Sequence, residues 1–343
     1  MMVDRYAFHP GVVLELTGDD RVRRHFAREY GPAATGDQTV ATVEASFGHV
    51  DERAEGCVEG GHKTMHWRSA VSEPGADPLA LRVQVSGLPR GYAMSIVQSY
   101  YLEPLLAVAA TRAGAVLLPA ASFEVEGRAT IVVGLSGSGK TSLSMQALAL
   151  RQPLMGDDQV LVTPDGTCRP FPRCMRLYPD LRERAPLAYR GLSRRDRCGL
   201  AARRLARTIT GGWLAPSLTL SRASLGEVGL PEPTSVGHVV LLVRSPDRGE
   251  VRVDAATTGD AIELCLEALR EQRRHLAEGR EGWRLALADI ERKEARQLGR
   301  AFACVPVTRV VVPTPLVGDG LAHLAGQLGL GQRAQPGEIG TWP

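Results

Sequence analysis

The chain has 343 residues, of which 44% are hydrophobic and 23% are charged, and its formal net charge is +3. This is ordinary globular composition, which excludes an intrinsically disordered, collagen-like or disulfide-scaffold chain, and the length is typical of about two domains. The small net charge does not by itself indicate nucleic acid or an anionic membrane as a partner. No stretch approaches about 18 consecutive apolar residues, so no transmembrane helix is expected.

Cysteine usage indicates the compartment and offers one candidate metal site. The six cysteines are scattered and form no CxxC pair, which in a chain of this length is typical of reduced thiols in a cytoplasmic protein. The N-terminal residues are charged and lack an apolar stretch, so no secretory signal is expected. Cys57, His62 and His66 would suit zinc only if His62–His66 were helical, which the glycines at 60 and 61 disfavour. We therefore expect a loop with exposed histidines there.

Residues 1–98 are predicted to form a smaller, β-rich domain. Alternating runs at Thr39–Val43 and Leu81–Val85 indicate strands, and Gly, Asp and Pro residues separate them. Residues 99–330 mix helical and strand patterns, which favours an α/β domain, and residues 331–343 are expected to form a polar tail.

The α/β domain alternates helices with short apolar strands along the chain. In order, the patterns predict a helix over Leu102–Ala109 with Pro104 in its first turn, a strand at Ala115–Leu118, a hairpin of Ser122–Val125 and Thr130–Val133 that turns at 126–128, a helix over Ser142–Leu150, a strand at Val160–Val162, strands at Val239–Val243 and Val251–Val253, a helix over 261–274 begun by Thr258-Gly259-Asp260, and a strand at Val307–Val312. Residues 167–235 are expected to be irregular and rich in arginine. The charged segment 284–296 is expected to be the solvated face of a helix.

A glycine-rich phosphate loop lies between the second strand of the hairpin and the following helix. Residues 134–141, Gly-Leu-Ser-Gly-Ser-Gly-Lys-Thr, match GxxxxGK[ST] in the strand-then-helix context that the motif requires. Glycines let backbone N–H groups converge on phosphate oxygens, and the helix N-terminus adds positive charge. We expect Lys140 to reach the β- and γ-phosphates of ATP and the Thr141 hydroxyl to bind Mg²⁺. The predicted nucleotide-binding residues are Gly134, Ser136, Gly137, Ser138, Gly139, Lys140, Thr141 and Ser142.

Two adjacent carboxylates, Asp157 and Asp158, follow Lys140 by 17 and 18 positions. A helix of about ten residues and a short return would bring them back beside the loop. One carboxylate would hold Mg²⁺ and the other would accept the proton of an attacking hydroxyl, and the sequence leaves open which does which. The short spacing, without an LSGGQ-like segment, disfavours a transporter-type ATPase and favours a compact kinase with Asp157, Asp158 and Lys140 as catalytic residues.

Residues 115–180 resemble the P-loop domain of HPr kinase/phosphorylase and its bacterial relatives. Four features carry the resemblance: the turn at Gly127-Arg128, the phosphate loop, the pair Asp157-Asp158, and Pro170-Phe171-Pro172-Arg173 followed by Arg176-Leu177. The resemblance implies a phosphoenolpyruvate-carboxykinase-like fold, ATP and Mg²⁺ as cofactors, and phosphorylation of a hydroxyl on a protein, a peptide or a small molecule. It gives ATP–Mg²⁺ binding to the loop lysine and hydroxyl, and metal binding and the general base to the acid pair.

The chain departs from that family at two places. The family often has a histidine on the strand before the hairpin, where this chain has Pro119, so a phosphorylase step is not expected. The family's ExRGxG segment, whose Glu helps to hold metal, is matched only in part by residues 188–193, where Ala188 replaces the Glu. HPr itself is therefore not the expected substrate.

Arginines supply the candidate substrate contacts. Arg173 and Arg176 follow the acid pair closely, and Arg190 lies in the segment that matches ExRGxG in part. The nine arginines between residues 182 and 207 would suit a mobile loop that closes over ATP or holds an anionic substrate, but a solvated charged face is the favoured interpretation. Interleaved aromatic residues are missing there, which disfavours nucleic acid.

The sequence thus predicts a cytoplasmic ATP- and Mg²⁺-dependent kinase that transfers the γ-phosphoryl group to a hydroxyl of a small metabolite or of a peptide or protein serine. Residues 1–98 would recognise the acceptor, and neither a membrane nor nucleic acid is expected as a partner. Two alternatives stay open: a regulator that binds ATP without phosphotransfer, and a small-molecule kinase similar to adenylylsulfate kinase. Whether the chain forms a homo-oligomer is left open as well.

Overall fold

The chain divides into two compact units. The computed structural model describes residues 2–35, 40–87, 90–213, 216–226, 229–245, 251–313 and 318–330. Unit 1 comprises the chain up to Leu118 together with Leu266–Leu298, and unit 2 comprises Pro119–Cys265 and the chain from Gly299 onward. The sequence predicted a boundary between residues 98 and 99, whereas the structure groups 99–118 and 266–298 with the N-terminal residues. The predicted tail, 331–343, lies outside the described residues.

Unit 1 is built on a six-stranded mixed sheet. Its elements up to Leu118 are β1 (Val3–His9), β2 (Val12–Thr17), α1 (Asp20–Tyr30), β3 (Val43–Phe47), β4 (Cys57–His62), β5 (Met65–Val71), β6 (Leu79–Gly87), α2 (Arg90–Val97), α3 (Glu103–Arg112) and β7 (Val116–Leu118). The strand order is β1-β2-β3-β6-β5-β4. The pairs β2–β3 and β3–β6 are parallel and the other pairs are antiparallel, so the sheet mixes both kinds of ladder.

The sequence located the strongly patterned elements of unit 1 and misplaced the weaker ones. The predicted strand Leu81–Val85 lies inside β6, and Pro104 lies in the first turn of α3, where its missing N–H costs no hydrogen bond. The predicted strand Thr39–Val43 is wrong within the described residues, because the strand begins only at Val43 and runs to Phe47. The expected histidine loop is a β-hairpin instead: Cys57 and His62 lie on β4, and His66 lies on β5.

Unit 2 contains the remaining strands and the phosphate loop. In chain order the elements after Leu118 are β8 (Ala120–Val125), β9 (Arg128–Val133), α4 (Lys140–Ala149), β10 (Leu154–Gly156), β11 (Val160–Val162), β12 (Thr167–Pro170), β13 (Met175–Leu177), α5 (Leu181–Arg184), α6 (Pro186–Gly191), α7 (Arg194–Ile209), β14 (Leu218–Leu220), β15 (Thr234–Ser245), β16 (Arg252–Ala256), α8 (Thr258–Ala277), α9 (Glu281–Ala301), β17 (Val307–Pro313) and α10 (Gly318–Gln327). The division between the units falls within both α8 and α9.

Three parallel strands form the centre of the unit 2 sheet. β15 pairs in parallel with β9 on one edge and with β17 on the other, and antiparallel strands extend the sheet on both sides. On the β9 side these strands are β8 and then β10. On the other side, β16 pairs with β17, β12 pairs with the first residues of β15, and β11 pairs with β12. The unit is therefore α/β with a mixed sheet. Because parallel strands end at the same edge, the carboxyl ends of β9, β15 and β17 lie together, which is where such sheets bind ligands.

The hairpin that precedes the phosphate loop is confirmed. β8 and β9 pair in register through a two-residue turn, Glu126-Gly127, in which both residues have positive φ, at 51° and 77°. Such turns match the twist of the flanking strands. The apolar side of the sheet and helix α4 share one buried cluster, which includes Phe123, Val132, Leu143 and Leu148. This core holds β9 and α4 at the two ends of the phosphate loop.

The expectation that residues 167–235 are irregular is wrong. The segment contains β12, β13, α5, α6, α7 and β14, and β13 pairs with β14. Most of these elements are too short to show periodicity. The 16-residue helix α7 buries only Leu200, so it has no apolar face pattern. Its start is nevertheless marked by Ser193, whose hydroxyl accepts a hydrogen bond from the Asp196 N–H at 3.2 Å.

For the two long helices, the predicted start of α8 is confirmed, and the predicted exposure of α9 is wrong at one position. α8 starts near the predicted position, with a reciprocal cap in which the Thr257 N–H and hydroxyl donate to the Asp260 carboxylate. The predicted solvated face over 284–296 is wrong for Glu294, which is fully buried on the same side of α9 as Ile290 and Leu298. Among the described residues, no helix is both long and apolar enough to cross a membrane.

Candidate functional site

The phosphate loop connects the carboxyl end of β9 to the N-terminus of α4, as its sequence predicts. Gly134 directly follows β9, and Gly139, with φ +111°, precedes the first residue of α4. A Cβ on Gly134 would lie 2.6 Å from the Ser138 hydroxyl oxygen and 2.7 Å from the Leu242 carbonyl oxygen. Only glycine fits there, because the loop folds back against itself and against β15.

The loop's side chains divide into exposed and buried positions. Ser136 and Gly137 are exposed, whereas Ser138 and Ser142 are buried. The Lys140 ammonium donates hydrogen bonds to the carbonyls of Gly134 and Leu135, so it lies across the loop opening. The first N–H groups of α4 have no partners within the helix, as at every helix start, and they add positive charge at the same place. The loop is thus arranged to receive an anion.

The acid pair comes to the loop because β10 ends beside it. β10 pairs with β8, which pairs with β9, and Asp157 is the first residue after β10. The Thr141 hydroxyl donates a hydrogen bond to Asp157 Oδ2 at 3.2 Å. The preceding Gly156 leaves no room for a side chain, since a Cβ would lie 2.0 Å from the Gln159 carbonyl oxygen. The predicted proximity of the loop hydroxyl and the acid pair is therefore confirmed for Asp157.

The two carboxylates have different electrostatic environments. Burial and the neighbouring Asp158 carboxylate raise the pKa of Asp157 to about 7, although the Thr141 hydrogen bond and Arg173 act in the opposite direction. Burial alone would also raise the pKa of Asp158, but the positive charges of Arg173, Lys140 and Arg176 hold it below its ordinary value. Near neutral pH, Asp158 is therefore ionised while Asp157 is partly protonated.

Exposure separates the two carboxylates as well. Asp157 is buried, and its Oδ1 atom accepts no hydrogen bond from the described part of the chain. The Asp158 side chain is 35% exposed, so it can be reached by a second substrate. A buried carboxylate that contacts the loop hydroxyl suits metal binding, and a more exposed, ionised carboxylate suits proton transfer.

Of the three predicted substrate arginines, two lie at the acid pair. Arg173 forms an ion pair with Asp158 at 3.2 Å. The segment that carries Arg173 is held beside β10 by a hydrogen bond from the Phe171 N–H to the Met155 carbonyl. Arg176, on β13, is close enough to lower the pKa of Asp158. Arg190 is exposed on α6 and makes no hydrogen bond or ion pair within the described residues. The structure therefore groups Arg173 and Arg176 with the site.

Sequence reasoning missed two further residues that approach the site. Ser144 is buried one turn beyond Thr141 on α4 and is close enough to affect the pKa of Asp157. The i, i+3 spacing from Thr141 could have revealed it. Arg244, near the end of β15, approaches to 3.1 Å from the point where a Gly137 Cβ would lie. No local signal identifies Arg244, because its position depends on the pairing of β9 with β15.

The positions at which the chain departs from the HPr-kinase pattern are also described. Pro119 lies directly before β8, in the place where the family often has histidine. Ala188 lies on α6 and is fully buried in the apolar cluster of unit 2, among residues such as Leu143 and Leu192. A metal-holding carboxylate at position 188 would therefore be surrounded by apolar side chains in this structure.

Comparison with known proteins does not assign a family. No protein-family model matches this chain. No curated protein is significantly similar to it in sequence. The function therefore has to be inferred from the geometry of the loop and the acid pair.

Proposed function

We propose that the protein is an ATP- and Mg²⁺-dependent kinase that transfers the γ-phosphoryl group to a hydroxyl. The observation that carries the proposal is the 3.2 Å hydrogen bond between Thr141 and Asp157. It joins a complete phosphate loop to a buried carboxylate 16 positions away in the sequence. In P-loop nucleotide-binding proteins the loop hydroxyl and a nearby carboxylate together hold Mg²⁺, and Thr141 and Asp157 offer this combination.

Lys140 and the backbone of the loop bind the phosphates in this proposal. The Lys140 ammonium now donates to two loop carbonyls, and these weak acceptors are exchanged for the charged oxygens of the β- and γ-phosphates. The exchange costs little, because the side chain already lies over the loop. The N–H groups at the start of α4 add further donors to the same phosphates.

Thr141 and Asp157 fit a magnesium ion. Both offer oxygen ligands, which a hard cation prefers, and Asp157 Oδ1 is buried without a hydrogen bond in the described chain. Within the described residues, no cluster of three or more His, Cys, Asp or Glu side chains suits a metal. This agrees with Mg²⁺, which is commonly held by one or two carboxylates together with substrate phosphates and water. The bound ion would offset the charge that develops on the transferred phosphoryl group.

Asp158 is the proposed general base. It is ionised, partly exposed and adjacent to the metal-binding carboxylate, so an acceptor hydroxyl can hydrogen-bond to it. Arg173 holds this carboxylate in place and keeps it ionised through their 3.2 Å ion pair. We therefore assign Arg173 first to orienting Asp158, and Arg176 to the acceptor or the phosphates. Catalysis would come chiefly from positioning and charge stabilisation.

The resemblance to HPr kinase/phosphorylase supports the same proposal. It favours a phosphoenolpyruvate-carboxykinase-like arrangement for unit 2, and it favours a protein, peptide or small-molecule hydroxyl as acceptor. Residues 1–98 are proposed to recognise that acceptor. An ATP-binding regulator without phosphotransfer remains the second candidate, and the buried Ala188 in place of the family's metal-holding Glu favours it.

A mass-spectrometric acceptor screen tests the proposal. The full chain is incubated with ATP, Mg²⁺ and pools of hydroxylated metabolites and serine peptides, and products are sought with the mass gain of one phosphate. We expect at least one acceptor-dependent product, which is absent with Lys140→Ala. Tight ATP binding without any such product would favour the regulator instead.

A further inference from the structure

Helix α7 presents an apolar row that faces away from the body of unit 2. Cys198, Ala202, Leu205 and Ile209 follow one another at spacings of four, three and four, so they share one side of the helix. Leu200, the buried residue of α7, points in nearly the opposite direction. Leu205 is 61% exposed and Ile209 is 75% exposed. The row is therefore not part of the core of this chain.

Trp213 extends the exposed surface beyond the end of α7. It lies four positions after Ile209, the last residue of the helix, beyond Gly211 and Gly212, and is 53% exposed. Single exposed apolar side chains are common on protein surfaces, but three large ones close together in the chain, at positions 205, 209 and 213, are more typical of an interaction surface. We call Cys198, Ala202, Leu205, Ile209 and Trp213 the α7 row.

The helix that carries the α7 row is strongly basic. It holds six arginines and one acid, Asp196, and that carboxylate is used at the helix cap, where it accepts from the Ser193 hydroxyl. Arg204 pairs with Glu183 at 2.7 Å. Arg194, Arg195, Arg197 and Arg207 form no ion pair with any described residue. Most of this charge thus has no counterpart within the described part of the chain.

The shape and charge of this surface favour a partner helix over a lipid surface or a second copy of the chain. A lipid surface favours a broad apolar face, whereas the α7 row is one side chain wide and has the 4-3-4 spacing of a coiled-coil seam. A second copy of the chain would bring two strongly basic helices together, with Arg195 one turn before Cys198 in the same row. The small residues Ala201 and Ala206 beside the row allow a partner helix to approach closely.

We propose that the α7 row is a docking site for an acidic amphipathic helix of another protein. The partner would place its own apolar residues against Leu205 and Ile209, and its carboxylates against Arg194 and Arg195, which helical spacing brings to the N-terminal end of the same row. From Cys198 to Ile209 the seam is about 16 Å long, which suits a weak and reversible contact. The proposal is independent of phosphoryl transfer, since it uses no residue of the phosphate loop or acid pair.

Fluorescence anisotropy of a labelled synthetic helix tests the proposal with the full chain. The probe is a three-heptad peptide with Leu at a and d and Glu at e and g, and its matched partner has Lys in place of Glu. We expect the Glu peptide to bind at least ~10-fold more tightly than the Lys peptide, with an affinity that falls as salt rises. The double variant Leu205→Glu/Ile209→Glu is expected to lose at least ~10-fold in affinity for the Glu peptide.

A matched substitution controls for the added negative charge. Leu285, on α9, is also an exposed helical leucine, at 67%, and Leu285→Glu is expected to leave peptide binding unchanged. Equal binding of the two peptides, or binding unaffected by the double variant, would overturn the proposal. So would two other results that depend on Leu205 and Ile209: co-sedimentation with phosphatidylserine vesicles in place of peptide binding, or dimerisation of the chain in analytical ultracentrifugation.

Discussion

Each unit contains an arginine–carboxylate pair that is largely buried, and the two pairs are built differently. In unit 1, Arg273 donates to both oxygens of Glu294, and the Thr111 hydroxyl donates to Glu294 at 2.7 Å. In unit 2, Arg173 pairs with Asp158 at 3.2 Å, and the Asp158 side chain is 35% exposed. The first carboxylate is surrounded by donors, whereas the second still has room for another partner.

This difference separates a pair that supports the fold from a pair that supports a reaction. A fully buried carboxylate such as Glu294 cannot be reached by the hydroxyl of a substrate. Asp158 can, and three positive groups keep it ionised for that purpose. We therefore expect substitutions at the unit 1 pair to change stability, and substitutions at the unit 2 site to change activity.

The largest expected effect is on phosphoryl transfer. Lys140→Ala removes the only loop side chain that carries a positive charge, and we expect transfer to the screened acceptor to fall by at least ~10³-fold. Asp158→Asn removes the proposed base and is expected to lower the rate by ~10²–10⁴-fold with a much smaller change in ATP affinity. Steady-state kinetics measure both. Melting temperatures that stay within about 3 °C of the wild type would show that folding is intact.

One result would directly contradict the prediction on activity. If Asp157→Asn and Asp158→Asn both kept wild-type rates, the acid pair would have no catalytic role. The Arg173–Asp158 pair would then have no role in the reaction, and its contrast with the Arg273–Glu294 pair would not be a contrast of function. Arg173→Lys sharpens the test, because lysine keeps the charge beside Asp158 while it loses the geometry of the guanidinium group.

The next effect is on stability in unit 1. Glu294→Ala leaves Arg273 buried without its counterion, so we expect the free energy of unfolding to fall by about 3–5 kcal/mol, measured by chemical denaturation. Glu291→Ala is the matched control on the same helix, since Glu291 pairs with Arg270 at the surface. It should cost about 1 kcal/mol or less. A Glu294→Ala protein as stable as the control would show that the buried pair does not support the fold.

The last expected effect is a pH dependence of stability that comes from Asp157. Its pKa is raised from 3.8 to about 7 in the folded protein, so between these values the folded state binds more protons than the unfolded state. The contribution of Asp157 to the free energy of unfolding should therefore fall as pH rises from about 4 to about 7. Asp157→Asn removes this contribution. When both proteins are denatured across that range, the free energy of unfolding of Asp157→Asn minus that of the wild type should increase with pH. A value that does not change with pH would contradict the raised pKa.

The loop and the acid pair could be predicted because their geometry is specified locally. A loop that folds onto itself at Gly134 and turns with positive φ at Gly137 and Gly139 demands glycines at those positions. The predicted hairpin and helix on either side of it are also short-range structures. Consequently the sequence could also predict that the acid pair returns beside the loop, and the Thr141–Asp157 hydrogen bond confirms this for Asp157.

The rest depended on long-range packing that no local pattern carries. Glu294 looked like part of a charged surface, yet it is buried because Arg273 and Thr111, 21 and 183 positions away, meet it. Helix α7 was missed for the opposite reason, since a helix that buries only Leu200 shows no apolar periodicity. Arg244 approaches the loop only through the pairing of β15 with β9. The division of the chain into units likewise depends on where 266–298 packs.

Calorimetric titration of ATP, with and without Mg²⁺, tests most directly whether the loop and Asp157 jointly hold a nucleotide and its cation. We predict that Mg²⁺ raises the affinity of the wild type by at least ~10-fold, about 1.4 kcal/mol. This gain should disappear in Asp157→Asn and persist in Asp158→Asn. An ATP affinity that does not respond to Mg²⁺, or a gain that survives Asp157→Asn, would contradict the account.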